Sequence, residues 1–251
     1  MDNAPDSSLR GSVDWVVVDR VLSEINQLAP VFLSENVLIG GGACLFYRQL
    51  LASANDSDFP LPKTTPEDER LWLSKDVDVI GTAQDEIPEE LGLQADEEGR
   101  CLVCGIWVDS PGAAYTFDAS MARSTAVPAI SNRYGTEFLV LSPALLLREK
   151  RALIQDPTKD RAQDPLHAAV AERTGKLLLC QWLERRPIEK KTIVQWHDLA
   201  KEIKEYTPDL LTDPALCRRL RAAVNDLKGN PLGKSAYHWV MHKVLNSLQP
   251  G

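Results

Sequence analysis

Asp76-Val77-Asp78, within SKDVDVIG, is the part of this 251-residue chain whose residue types and spacing most directly imply chemistry. On a strand, residues i and i+2 face the same way about 7 Å apart, so two carboxylates project together while Val77 and Val79 turn into the core. Like charges side by side cost free energy unless a cation lies between them, and hard oxygen ligands suit Mg²⁺. Ahead of the pair stands VLIGGGACLFYRQL, an apolar run closed by Gly40, Gly41 and Gly42. Such a turn exposes backbone N–H groups with no Cβ in the way, and the dipole of a following helix makes it a phosphate cradle. Its spacing is neither a GK[ST] loop nor a GxGxxG fingerprint. A third carboxylate, Asp118 of YTFDAS, alternates with Tyr115 and Phe117. Three carboxylates from adjacent strands facing a glycine turn would make a two-ion site for phosphoryl transfer. Asp109 of IWVDS is the rival, but it immediately precedes Ser110-Pro111-Gly112 and is assigned to turn chemistry.

The elements that must position these groups can be read from periodicity. Residues 13–29 carry apolar residues at helical spacing and stop at Pro30; NVLIGGG reads as a strand ending in a tight turn, and 43–54 as a helix. Residues 55–68 hold three prolines and read as an exposed loop. WLSKDVDVIGT alternates at the strand period. After an acidic loop over 84–100, CLVCGIWVDS and AAYTFDAS read as a strand pair, and FLVLS (138–142) as one more strand. From Pro143 the strand signals stop: PALLLREKRALI and the stretches near 164–186, 189–206, 209–228 and 235–248 all have helical spacing. The expected class is α+β. A small mixed sheet with flanking helices occupies residues 1–142, and an all-helical domain residues 143–251.

Composition bounds the function classes. Hydrophobic residues are 44% and charged residues 25%, the balance of a globular protein rather than a disordered one. No apolar run reaches the roughly 20 residues of a membrane span, and the polar N-terminal stretch does not read as a secretory signal, so the expected compartment is cytoplasmic. Cys44, Cys101, Cys104, Cys180 and Cys217 are an odd number, in apolar surroundings; Cys101 and Cys104 form a CxxC without a second pair at zinc spacing, and structural thiols are the reading. The net charge of −8 is uneven: residues 1–169 hold 14 Lys+Arg against 27 Asp+Glu, whereas residues 170–251 hold 14 against 9. Arg185-Arg186, Lys190-Lys191 and Arg218-Arg219-Arg221 give the helical half a modest basic character that an RNA acceptor could use. His238 and His242 are four apart on a helix but lack a third ligand at suggestive spacing, and the six tryptophans fall one per element, as packing residues do.

Taken in order, Gly40-Gly41-Gly42-Ala43, Asp76-x-Asp78 and Asp118 resemble the nucleotidyltransferase superfamily of the polymerase-β-like fold. The resemblance is to its minimal bacterial members, which include AbiEii-like toxin nucleotidyltransferases. LVLSPALLLREKRALI, with Ser142, Pro143 and Lys150, is similar to that family's Ser-Pro, leucine and lysine segment, and KDRAQD (159–164) resembles its Lys-Asp plus Asp element. The likeness spans roughly residues 36–170. It departs from the pattern in the Pro-rich insertion at 55–68 and in one extra residue between the acids of the Lys-Asp element. The resemblance implies that Gly40–Gly42 hold the phosphates of an NTP. Asp76 and Asp78 would bind two Mg²⁺ ions, and Asp118 would complete the second site and favour deprotonation of the attacking hydroxyl. A nucleoside monophosphate would pass to an RNA, protein or small-molecule hydroxyl, with release of pyrophosphate. Lys150 would neutralise phosphate charge, or else belong to the surface run Arg148-Glu149-Lys150-Arg151. A catalytically silent relative, acting as a binding or regulatory partner in a toxin–antitoxin or defence system with a cognate antitoxin, is the alternative.

Overall fold

The computed structural model describes residues 14–65, 68–72, 74, 76–159 and 161–245. The N-terminal stretch read for a leader, Asp160 of the Lys-Asp element and the end of the last expected helix lie outside the described residues. The protein is mixed α+β, with its strands in the first half and helices alone in the C-terminal part. It divides into two compact units, one of residues up to Gln49 with Lys63–Leu141, the other of Leu50–Pro62 with Ser142 onward. No described helix is long and apolar enough to cross a membrane.

In the first unit, Asp14 caps helix α1 (Trp15–Leu28) by accepting from the Val17 amide at 3.1 Å, and Val18, Val21, Leu22 and Ile25 form its fully buried stripe. A short helix α2 (Phe32–Glu35) leads into strand β1 (Val37–Leu38), after which helix α3 (Gly40–Ala54) begins at the glycines themselves. The strand expected over 36–42 is therefore two residues long, and the turn is the helix's first turn. Strand β2 (Val77–Ile80) pairs antiparallel with β1, opposing Val37 to Ile80. After helix α4 (Ile87–Leu91) come strands β3 (Cys101–Val103) and β4 (Ile106–Asp109), then helix α5 (Ala119–Thr125) and strands β5 (Val127–Ile130) and β6 (Glu137–Val140). They form one mixed sheet in the order β3-β4-β2-β1-β6-β5. Trp15, Phe46 and Phe138 meet at ring centroid distances of 5.3–6.1 Å, and the Tyr47 hydroxyl donates to the Leu141 carbonyl at 2.6 Å, which docks α1 and α3 on β6.

Two expectations fail here for a shared reason, the turn chemistry. CLVCGIWV is not one strand but a hairpin: Cys104 and Gly105 both take positive φ (51° and 81°), the backbone of a two-residue turn that matches strand twist. AAYTFDAS does not pair with it; this segment makes only an isolated bridge between Ala113 and Asp118 before α5 starts. All five cysteines are free, Cys101 is buried with its thiol pushed up to about 11 mainly by burial, and Cys104 is exposed at the hairpin tip.

The second unit holds helices α6 (Pro143–Gln155), α7 (Asp164–Glu184), α8 (Lys190–Tyr206), α9 (Pro214–Leu227) and α10 (Lys234–Trp239). Pro143 fits the first turn of α6, where its missing N–H is no loss, and Ser142 caps it by accepting from the Leu145 amide. The Pro-rich segment, expected to be exposed, is partly built into this unit. Phe59 is 3% exposed, and the Arg219 guanidinium of α9 bonds Asp56 at 2.6 Å and Glu184 through two nitrogens. On α8, Glu202 accepts a hydrogen bond from Ser142, while its Oε2 is buried with no hydrogen-bond partner among the described residues. Burial is the main cause that pushes its carboxyl up to about 7, reinforced by Asp198 and Glu205. The folded state thus keeps the Glu202 proton to a higher pH than the unfolded chain, whose carboxyl titrates near 4.5. Its contribution to stability is complete below that value and is lost as pH rises towards 7. Urea unfolding between pH 4.5 and 8 is expected to show this decline, and Glu202→Gln is expected to flatten it.

Candidate metal centre

The carboxylate cluster is made by strand register. β2 pairs parallel with β4, opposing Val77 to Val108 and Asp78 to Asp109. Val77, Val79 and Val108 are fully buried on one face, so the alternation leaves Asp76, Asp78 and Asp109 partly exposed on the other. One carboxylate oxygen from each of these three lies within 4.8 Å of the others. Ser74 donates to the Asp76 carbonyl at 2.8 Å and fixes the approach to β2. After β4, Ser110 donates its hydroxyl to the Thr82 carbonyl at 2.9 Å and its amide to Gln84 Oε1. These bonds tie the end of β4 to the residues that follow β2. Ser110 does the turn chemistry that the sequence assigned to Asp109, and leaves Asp109 to the cluster.

The glycine turn closes on the same acids. Gly40 has φ +58°, and a Cβ there would collide with Asp78 Oδ2. A Cβ on Gly41 would come within 2.5 Å of Ser74 Oγ. Both positions require the bare backbone because the acid strand runs against it. The helix that starts here is 15 residues long, so its first amides lack intrahelical partners and its positive dipole end points at the turn.

Asp118 occupies a different place from the one expected. Its Oδ1 accepts from the Met121 amide at 2.8 Å, capping α5. The third carboxylate of the cluster is Asp109. Ala119, Ser120, Arg123 and Ser124 of α5 line, with Gly81, a separate open cleft of about 420 Å³. Lys150 is neither a surface residue nor, in this structure, a free cation: it is buried in the helical unit and donates to Asp164 at 2.8 Å. Burial, with the Lys150 charge beside it, pushes the His167 imidazole down to about 3, so that ring is neutral at physiological pH. His238 and His242 stack at 5.8 Å, and the only group of three or more ligating side chains found among the described residues is the aspartate cluster.

Three partly exposed carboxylates with an oxygen each within 4.8 Å of the others are hard, anionic donors. The donor set could hold a metal ion. Comparison of the chain with family models, with curated proteins and with solved structures finds no match.

Two outcomes test these assignments. In thermal unfolding, millimolar Mg²⁺ or Mn²⁺ is expected to stabilise the native chain, and Asp109→Asn to abolish that gain while raising the metal-free melting temperature, since one repelling charge is gone. Asp118→Ala is expected to keep the gain and to lower stability by about 1 kcal/mol, the loss of a helix cap. Separately, Lys150→Met leaves Asp164 buried without its counter-ion and is expected to cost about 3–5 kcal/mol in urea unfolding. Lys150→Met/Asp164→Leu should recover most of it.

Proposed function

We propose that the protein is a metal-dependent nucleotidyltransferase that moves a nucleoside monophosphate from an NTP to a hydroxyl acceptor and releases pyrophosphate. The observation that carries this reading is the Asp76, Asp78 and Asp109 cluster with the Gly40 turn set against Asp78. The order of glycine turn, Asp-x-Asp strand and later acid supports it by resemblance to the polymerase-β-like nucleotidyltransferases, with Asp109 in the third place instead of Asp118.

In this reading the three aspartates hold Mg²⁺, an ion that favours oxygen ligands and binds through a few carboxylates together with substrate phosphates. When bound, the metal supplies positive charge for the phosphates and for the developing oxyanions. The amides of Gly40, Gly41 and Gly42 bind phosphate oxygens at the head of α3, where the helix dipole favours negative charge. Asp109, at the end of β4, would accept the proton of the attacking hydroxyl as general base. Lys150 takes no part, because its ammonium is committed to Asp164. A silent scaffold is the weaker reading, since a fold without chemistry gains nothing from three carboxylates held this close.

The test is direct. With Mg²⁺, the four α-labelled NTPs and a cell extract, label is expected on an acceptor. EDTA should remove the activity, and Asp76→Asn or Asp78→Asn should lower it by at least about 10²-fold. No label with any NTP, together with no Mg²⁺-dependent NTP binding by calorimetry, would overturn the reading.

A further inference from the structure

The carboxylates share their sheet face with an unexpected neighbour. In the β3–β4 hairpin, Leu102 opposes Trp107, so the two side chains emerge on the same face. Trp107 lies two residues before Asp109 on β4, hence on the face of the aspartate cluster and about 7 Å along the strand from it. The other face of these three strands is closed: Cys101, Val103, Val77, Val79 and Val108 are each at most 2% exposed. The open face carries Leu102 at 49% exposure and a half-buried Trp107. The Arg100 guanidinium lies 4.9 Å from the Trp107 ring centroid. Two Arg100 nitrogens bond Asp96 Oδ2, and a third pairs with Glu98 at 2.7 Å. Its charge is thus matched by carboxylates, so it serves as a flat buttress against the indole and not as a phosphate anchor.

We infer that Trp107, buttressed by Arg100 and extended by Leu102, is the shelf on which the nucleobase of a nucleoside triphosphate stacks when its phosphates are at the Asp76–Asp78–Asp109 cluster. This rests on the reading of that cluster as a metal–triphosphate site. The two chemistries are complementary along one strand. Carboxylates holding a metal would take the charged end of the ligand, and two residues away on the same strand stands a half-buried planar indole beside the exposed Leu102. A base is the part of a nucleotide that an indole recognises, and stacking tolerates any base because each has a π-face.

Calorimetry of the full chain in Mg²⁺ with ATP and with inorganic tripolyphosphate separates the two ends. ATP is expected to bind roughly 5- to 100-fold more tightly than tripolyphosphate, the range set by stacking of one base. Trp107→Ala should bring ATP down to the tripolyphosphate affinity while leaving tripolyphosphate within twofold of its native value. Trp107→Phe should retain most of the difference. Equal affinities in the native chain, or an ATP advantage that survives in Trp107→Ala, would overturn the shelf and leave the metal–triphosphate reading standing. Failure of both ligands to bind the native chain would overturn that reading and the shelf with it. Loss of tripolyphosphate binding in both Trp107 variants would instead make the indole a structural support of the hairpin and overturn the shelf alone.

Discussion

The pairing of β2 with β4 sets Asp78 beside Asp109, and the rest of the first unit follows from having to hold like charges together. At such a separation the carboxylates repel one another, and the solvent that reaches these partly exposed groups screens part of that repulsion. That repulsion is opposed from the far side of the sheet. Val77, Val79 and Val108 are fully buried there, and a slip of β2 by one residue would turn Val77 and Val79 into water and Asp76 and Asp78 into the core. The register that places the acids is thus enforced by the valines between them.

The same alternation separates tasks within one strand. The closed face holds the sheet together, and the open face is left to groups that would be unfavourable anywhere else. Gly40 belongs to this arrangement from outside the strand. Any side chain there would strike Asp78, so the close approach of backbone to carboxylate is available only to glycine. In the helical unit the opposite principle rules, because charges are placed to cancel. Lys150 meets Asp164, Lys176 meets Glu172 and Asp213, Arg151 meets Asp209, and Arg219 meets Asp56 and Glu184. The basic surplus counted over residues 170–251 is therefore partly consumed by acids of its own unit, including two from the Pro-rich segment, since Arg218 also pairs with Asp58. A count of charges read as a docking surface for an anion overstates what the folded unit presents.

How much was legible depended on the range of the signal. The α+β class, the helical half from Pro143 and the facing of Asp76 and Asp78 came from local periodicity, which a strand or helix expresses within its own residues. The third acid did not, because it depends on a pairing between segments about 30 residues apart, and nothing local reports that β4 lies parallel to β2. Asp118 was mistaken for a strand residue on four alternating positions, too few to outweigh the stronger local signal. Asp118 in DASMARST accepts from the Met121 amide three residues on, which is a helix cap. The hairpin was missed because its turn is Cys104-Gly105, a pair outside the usual Asn-Gly and Asp-Gly signals, in which glycine supplies one positive φ and cysteine tolerates the other. Lys150 looked exposed because its neighbours in sequence are charged, yet its own position on α6 faces inward and its charge is met by a residue 14 positions on.

Two of these failures share a direction. Asp109 and Lys150 sit where a local rule is overridden by a partner distant in the chain, and such overrides concentrate where stability is given up for chemistry or specificity. Asp109 illustrates it. As a turn residue it would be replaceable by asparagine or serine without loss, and in the absence of metal either would relieve repulsion. On the proposed reading a bound metal ion adds to the positive charge that Arg100 already brings near its carboxylate. The open face beside it reinforces the point. An exposed leucine and an indole adjacent to three anions is a poor surface for a purely structural sheet, because it leaves apolar area in water on the side that already bears the repulsion. On the proposed reading, one ligand with a cation-bound charged end and a planar apolar end would cover both features.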